Sequence, residues 1–117
     1  MRHRKEGKKF NRLQGERRAF LRNLVNNLIR LGRIETTEVR AKAIRPFAER
    51  LVTVAKRQTL GSRRLLFGRT HDRVVTQKLY GELGPRYSDR KGGYTRIIKL
   101  GKTRKRDGSR LATIEFV

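Results

Sequence analysis

The chain has 117 residues, 35% of them apolar, with 32 Lys plus Arg against 10 Asp plus Glu, so it carries +22 with histidine neutral. Such a length fits one domain with a modest core, and so much unbalanced positive charge makes a polyanion the expected partner. The absence of cysteine excludes disulfides, thiolate zinc sites and thiol nucleophiles, and no apolar stretch approaches the ~18–20 residues of a membrane span.

In chain order, residues 1–14 carry Arg2, Arg4, Lys5, Lys8, Lys9 and Arg12 with one acid, Glu6, and few large apolar side chains. The segment cannot bury enough surface to offset chain entropy, so it is expected to be a disordered arm that orders on a partner. It leads into Phe10-Asn11-Arg12-Leu13-Gln14 and not into the apolar stretch of a signal peptide.

From Glu16 to Leu31 the residues Phe20, Leu21, Leu24, Val25, Leu28 and Leu31 recur at helical spacing, with Arg17, Arg18, Arg22 and Arg30 mostly off the stripe and Gly32 as a terminator. Arg33 to Thr36 reads as a short strand. Thr36 or Thr37 is the expected cap of a helix reaching about Arg57, with Val39, Ala43, Ile44, Phe47, Leu51, Val52, Val54 and Ala55 apolar and a kink expected ahead of Pro46.

Ser62 is the expected cap of a short helix from Arg63 to Gly68. Asp72 is that of another, with Val74, Val75, Leu79 and Leu83 inward and Gly84-Pro85 at its end. Residues 86–93 read as a polar loop. The runs Tyr94–Leu100 and Leu111–Val117 then read as an antiparallel hairpin whose long basic loop, Gly101 to Ser109, holds Lys102, Arg104, Lys105 and Arg106. Phe20, Phe47, Phe67 and Phe116 are expected in the core. The fold class is α+β: about four helices packed on a small, about three-stranded mixed sheet, with residues 1–14 a basic arm and 15–117 one globular domain.

Candidate chemistry is thin. The stretch GELGPRYSDRKGGY has no G-x-x-x-x-G-K-[ST] or G-x-G-x-x-G pattern, so its glycines read as turns that also let backbone approach RNA. His71 and Asp72 are adjacent and do not face each other on a helix, and Asp72 has a capping role. His3 stands far from His71 and belongs to the arm, where stacking or phosphate contact suits it better than catalysis. The expectation is no enzyme, no cofactor, no metal, no small-molecule substrate and no membrane.

Arginine outnumbers lysine 22 to 10. A planar guanidinium matches phosphate bidentately and stacks on bases, so the bias points to nucleic acid. The candidate contacts are Arg2, His3, Arg4, Lys5, Lys8, Lys9 and Arg12 in the arm, Arg18 and Arg22 in the first helix, and Arg63 and Arg64 in the third. Arg86, Arg90, Lys91 and Arg96 around the glycine loop and Lys102, Arg104, Lys105 and Arg106 in the hairpin loop complete the cations. Tyr87 and Tyr94 flank the glycine loop and suit base stacking or phosphate contact, while for Tyr94 packing in its strand is the favoured reading.

The opening Met1-Arg2-His3-Arg4-Lys5 with Gly7 is followed by Arg22-Asn23, Ile34-Glu35-Thr36-Thr37, Ala41-Lys42, Leu51 to Lys56 and Arg63-Arg64. Leu83-Gly84-Pro85-Arg86, Gly92-Gly93-Tyr94-Thr95-Arg96-Ile97 and Ala112 to Phe116 complete the series. In this order the motifs resemble the bacterial large-subunit ribosomal protein L-seventeen family over nearly the whole chain. The resemblance implies a cytoplasmic structural component of the large ribosomal subunit that binds ribosomal RNA near the tunnel exit, beside neighbouring large-subunit proteins. It also implies RNA contacts at Arg2, His3, Arg4, Lys5, Lys8, Lys9, Arg22, Arg63, Arg64, Arg86, Arg90 and Arg96.

Overall fold

A computed structural model of the protein describes residues 14–117. The expected arm lies outside the described residues except for Gln14, which is already helical. The first helix, α1 (Gln14–Leu31), buries Val25, Leu28 and Ile29 with Leu21 and Leu24 packed beside them. Gly32, at φ 84°, donates its N–H to the Leu28 carbonyl at 2.7 Å and ends the helix. Leu31, expected in the stripe, is 69% exposed. It falls on the rim opposite Ile29, which takes the inward position instead.

The strand β1 (Arg33–Thr37) leads directly into α2 (Glu38–Ala55). Thr37 caps that helix as expected, its hydroxyl accepting from the Arg40 N–H at 3.3 Å. One face carries Ala41, Ile44, Ala48, Leu51, Val52 and Ala55, with alanines at seven-residue intervals that let neighbouring elements approach closely. The helix runs as one unit through exposed Pro46 and stops at Ala55, two residues short of expectation. Gln58 then turns the chain at φ 54°. Val39 and Phe47, expected inward, are exposed because the buried face centres on Ala41, Ile44 and Ala48.

The third helix, α3 (Leu60–Thr70), begins earlier than expected. Thr59 is its cap, and Ser62 is the reciprocal partner three residues on: the Ser62 N–H donates to Thr59 Oγ1 at 3.0 Å and the Thr59 N–H to Ser62 Oγ at 3.1 Å. Of its apolar residues Leu66 is fully buried, while Phe67, expected in the core, is 45% exposed. His71, left-handed at φ 55°, ends α3, and Asp72 caps α4 (Arg73–Lys78) by accepting from the Val75 N–H at 3.1 Å. Val75, Leu79 and Leu83 are buried as expected, whereas Val74 faces solvent.

Helix α4 continues through a π-helical stretch, Leu79–Leu83, into a last turn, α5 (Gly84–Arg86). The wider turn lets the Gly84 N–H reach the Leu79 carbonyl and leaves the Tyr80 carbonyl to accept from Gln58 Nε2 at 2.8 Å. Gln58 Nε2 also donates to the Ala55 carbonyl at 2.7 Å. A Cβ at Gly84 would stand 2.6 Å from that Ala55 carbonyl oxygen, so only glycine lets the two helix ends meet.

The strands β2 (Thr95–Thr103) and β3 (Arg110–Phe116) form the expected hairpin, and β1 pairs with the other side of β3. Both pairings are antiparallel, so the sheet is not mixed. β1 and β2 run parallel to each other, but β3 lies between them and no parallel ladder forms. Ile34, Ile114 and Ile97 align across the sheet toward the core. The basic loop is shorter than expected: Gly101 at φ 70° accommodates a bulge between Lys99 and Thr103, and β2 resumes through Thr103.

Candidate nucleic-acid interface

On α1 the residues Arg18, Leu21, Arg22 and Val25 share one face by three- and four-residue spacing, which sets two arginines beside the apolar stripe. On α2 the same spacing joins Phe47 to Arg50, whose guanidinium carbon lies 5.4 Å from the ring centroid. Packing of α1, α2 and α3 closes these faces around a cavity of about 410 Å³. Arg18, Arg22, Arg50 and Arg69 stand around it, and Leu21, Val25, Phe47, Leu51 and Asn26 complete its lining. No carboxylate lines it, and none of these four arginines is ion-paired among the described residues.

Arg22 and Asn26 also line an adjoining, more polar cavity of about 430 Å³ with Asn23, Asn27, Arg30, Thr70, His71 and Asp72. Its one carboxylate is engaged: the Val75 N–H and then Arg30, at 2.6 Å, hold the Asp72 carboxyl below the usual carboxylate range. His71 serves as the helix terminator, its backbone N–H donating to the Phe67 carbonyl at 2.9 Å.

The sheet end is electrostatically different. Arg96 pairs with Glu115 at 2.8 Å, Lys102 with Glu35 at 3.4 Å and Arg104 with Asp107, while Lys42 and Lys99 share Glu38 at 2.9 and 3.6 Å. These cations lower the carboxyls they meet: Lys42 first for Glu38, Arg96 for Glu115, and Arg104 for Asp107. Lys105 and Arg106 are exposed at the hairpin tip.

Around the glycine loop, Arg86 donates to the Val117 carbonyl at 2.9 Å and lies 5.2 Å over the Tyr87 ring. Arg90 Nε donates to the Gly92 carbonyl at 3.2 Å, its own carbonyl accepts from Lys56 Nζ, and Lys91 is exposed. Arg63 lies 5.6 Å over Tyr80, and Arg64 is exposed. Tyr94, one of the candidate contacts, is 2% exposed, packs 5.2 Å from Tyr87 and accepts from Lys56 Nζ at 3.0 Å, in keeping with packing in its strand. Hydrogen bonds from Thr53 and Lys56 lower its hydroxyl pKa, whereas burial raises that of Tyr87.

The structure therefore gathers Arg18 and Arg22 in one groove with Arg50 and Arg69, which sequence reasoning missed. Arg50 was legible as the partner of Phe47 three residues earlier. Arg69 had no signal, since only the packing of α3 brings it there. Arg2, His3, Arg4, Lys5, Lys8, Lys9 and Arg12 lie outside the described residues. Among those residues no group of three or more His, Asp or Glu side chains is placed to hold a metal ion, and no helix is long and apolar enough to cross a membrane.

The described residues form a small α+β body that gathers four arginines, none of them ion-paired among those residues, around one groove, an arrangement suited to binding an anion. In comparison with known proteins, the family model described as Ribosomal protein L17 matches residues 20–117. The chain is also 50% identical, over its full length and 98% of the relative, to the large ribosomal subunit protein bL17 of Gemmatimonas aurantiaca. It is 49% identical, again over its full length and 97% of the relative, to the protein of the same name in a Sulfurihydrogenibium species. The chain belongs to the ribosomal protein L17 family.

Proposed function

We propose that this chain is a structural constituent of the large ribosomal subunit, bound to ribosomal RNA in the cytoplasm through its basic N-terminal arm and an arginine-rich face. The observation that carries the reading is the groove of Arg18, Arg22, Arg50 and Arg69, which holds four guanidinium groups with no carboxylate to neutralise them. Guanidinium groups in that state are matched by phosphates, and each contact releases condensed counterions. Arg63, Arg64, Arg86, Arg90, Lys91, Lys105 and Arg106 extend the cationic surface, with Arg96, Lys102 and Arg104 contributing less because acids already face them. The arm, with Arg2, His3, Arg4, Lys5, Lys8, Lys9 and Arg12, enters a groove between RNA helices and screens phosphates that repel one another. Family membership supports a place near the tunnel exit, beside other large-subunit proteins.

The test is binding to folded large-subunit ribosomal RNA against duplex DNA of equal length across a salt series. Log affinity falls with log salt at about −0.7 to −0.9 per phosphate contact, and the preference for RNA survives at physiological salt. Equal affinities that vanish together as salt rises would instead make the chain a generic polyanion binder of the architectural DNA type.

A further inference from the structure

Neutralising phosphates requires only a cationic surface, yet the arginines between α1, α2 and α3 surround a cavity with an apolar lining. Leu21, Val25, Phe47 and Leu51 supply that lining, and the volume of about 410 Å³ is in the range of small-ligand pockets, ~300–1,000 Å³. An occupant that suits it is apolar on the inside and anionic at the mouth. Phe47 with Arg50 over its ring offers a flat apolar and cationic surface of the kind on which bases stack.

Asn26 narrows the chemistry further. It is 7% exposed, in the lining shared by both cavities, and its Nδ2 donates to the Thr70 carbonyl at 3.0 Å. That bond orients the amide and leaves Oδ1 as an acceptor without a partner, closed off from both cavities until the side chain shifts. The missing partner is an N–H or O–H donor, which a nucleobase edge or a ribose hydroxyl provides and an acyl chain does not. Across Arg22 and Asn26 the second cavity offers Asn23, Asn27 and His71 to sugar and phosphate. The N-terminal segment of this chain is an unsuitable occupant, because its own net positive charge opposes four arginines.

We propose that this groove receives one nucleotide extruded from an RNA helix. The base lies against Leu21, Val25, Phe47 and Leu51, the flanking phosphates meet Arg18, Arg22, Arg50 and Arg69, and the Asn26 side chain shifts so that a base or ribose donor satisfies its Oδ1. The inference rests on the RNA-binding reading above and specifies what one site of it takes. Extrusion is easiest for a base that is already unpaired, so the site selects bulged helices.

The test titrates the full-length chain against an RNA hairpin carrying a single bulged 2-aminopurine, and against the same hairpin without the bulge. The bulged hairpin is bound about tenfold more tightly, in line with the stacking of one base, and its fluorescence changes on binding. Leu21→Trp fills the cavity without altering charge. It abolishes the preference and the fluorescence change while affinity for the paired hairpin stays within about twofold. Should that variant fail to fold, Phe47→Ala, at a side chain 44% exposed, carries the test and removes most of the preference. Equal binding of the two hairpins, with RNA still preferred over duplex DNA, overturns the pocket and leaves the ribosomal reading standing. Loss of the preference for RNA itself removes that reading instead. Full retention of the preference in Phe47→Ala, or equal weakening of both hairpins by Leu21→Trp, also overturns the proposal.

Discussion

The groove between α1, α2 and α3 and the sheet end of this protein are both dense in arginine and lysine, yet they differ in how much of that charge is paired with acids. At the sheet, Glu35, Glu38, Asp107 and Glu115 each face a cation, and Glu38 faces two. In the groove Arg18, Arg22, Arg50 and Arg69 have no such partner. Strands place their acids and bases directly opposite one another, as in the pair Arg96 and Glu115. The three helices instead bring arginines together from distant parts of the chain, and their few acids lie elsewhere. Counting basic residues along a segment therefore measures charge supplied, whereas binding depends on the charge left unpaired.

The largest expected effect comes from replacing Arg18, Arg22, Arg50 and Arg69 together with Ala. The slope of log affinity for ribosomal RNA against log salt flattens by about 3, one contact for each arginine. The matched set at the sheet, Arg96→Ala with Lys102→Ala and Arg104→Ala, flattens it by less than about 1, because acids already neutralise those cations. Equal slopes in the two variants would erase the distinction between the regions.

The groove also depends on helix positions that can be perturbed without removing charge. Gly84→Ala drives a Cβ against the Ala55 carbonyl and destabilises the fold by about 1–3 kcal/mol, read as a lower melting temperature. Asp72→Ala removes the cap of α4 and the partner of Arg30, at about 1 kcal/mol. It exposes one further cation beside the groove, so RNA affinity at low salt rises slightly while stability falls.

The smallest effect is the acid dependence. Glu38, Asp72 and Glu115 have folded pKa values below their ordinary ones. Their stabilisation is present above the unfolded carboxylate pKa, ~4, and is lost as pH falls through the lower folded values. Melting temperature therefore falls modestly between pH 5 and pH 3, both values being about the edges of that window. The four-arginine groove variant loses the same amount, since no carboxylate of that cavity titrates. A pH response that differs between variant and wild type would place a coupled acid in the groove.

Much of the frame was legible in the residues. Leu21, Leu24, Val25 and Leu28 define α1, Thr37 and Asp72 cap α2 and α4, and alternating runs around Ile97 and Ile114 define the hairpin, because local spacing and capping chemistry act within a few residues. Local reading failed where the fold overrode it. Thr59 caps α3 although Leu60-Gly61 is a poor helical opening, because the reciprocal bonds with Ser62 settle the first turn. Phe47, Phe67 and Val74 are apolar yet exposed, since the buried face of each helix is chosen by the neighbour it packs against. Tyr94, for which packing in its strand was the favoured reading over contact, is held in the core beside Tyr87 and Lys56.

By itself the sequence determined the α+β class, the caps of α2 and α4, the hairpin and the large excess of positive charge, all of which follow from composition and short-range spacing. Tertiary structure alone decided which cations stay unpaired, that Arg69 joins Arg18, Arg22 and Arg50, and that Asn26 keeps a buried acceptor beside them. Those outcomes depend on which helix faces meet, and residues more than forty positions apart in the chain have no local signal that they will share one cavity.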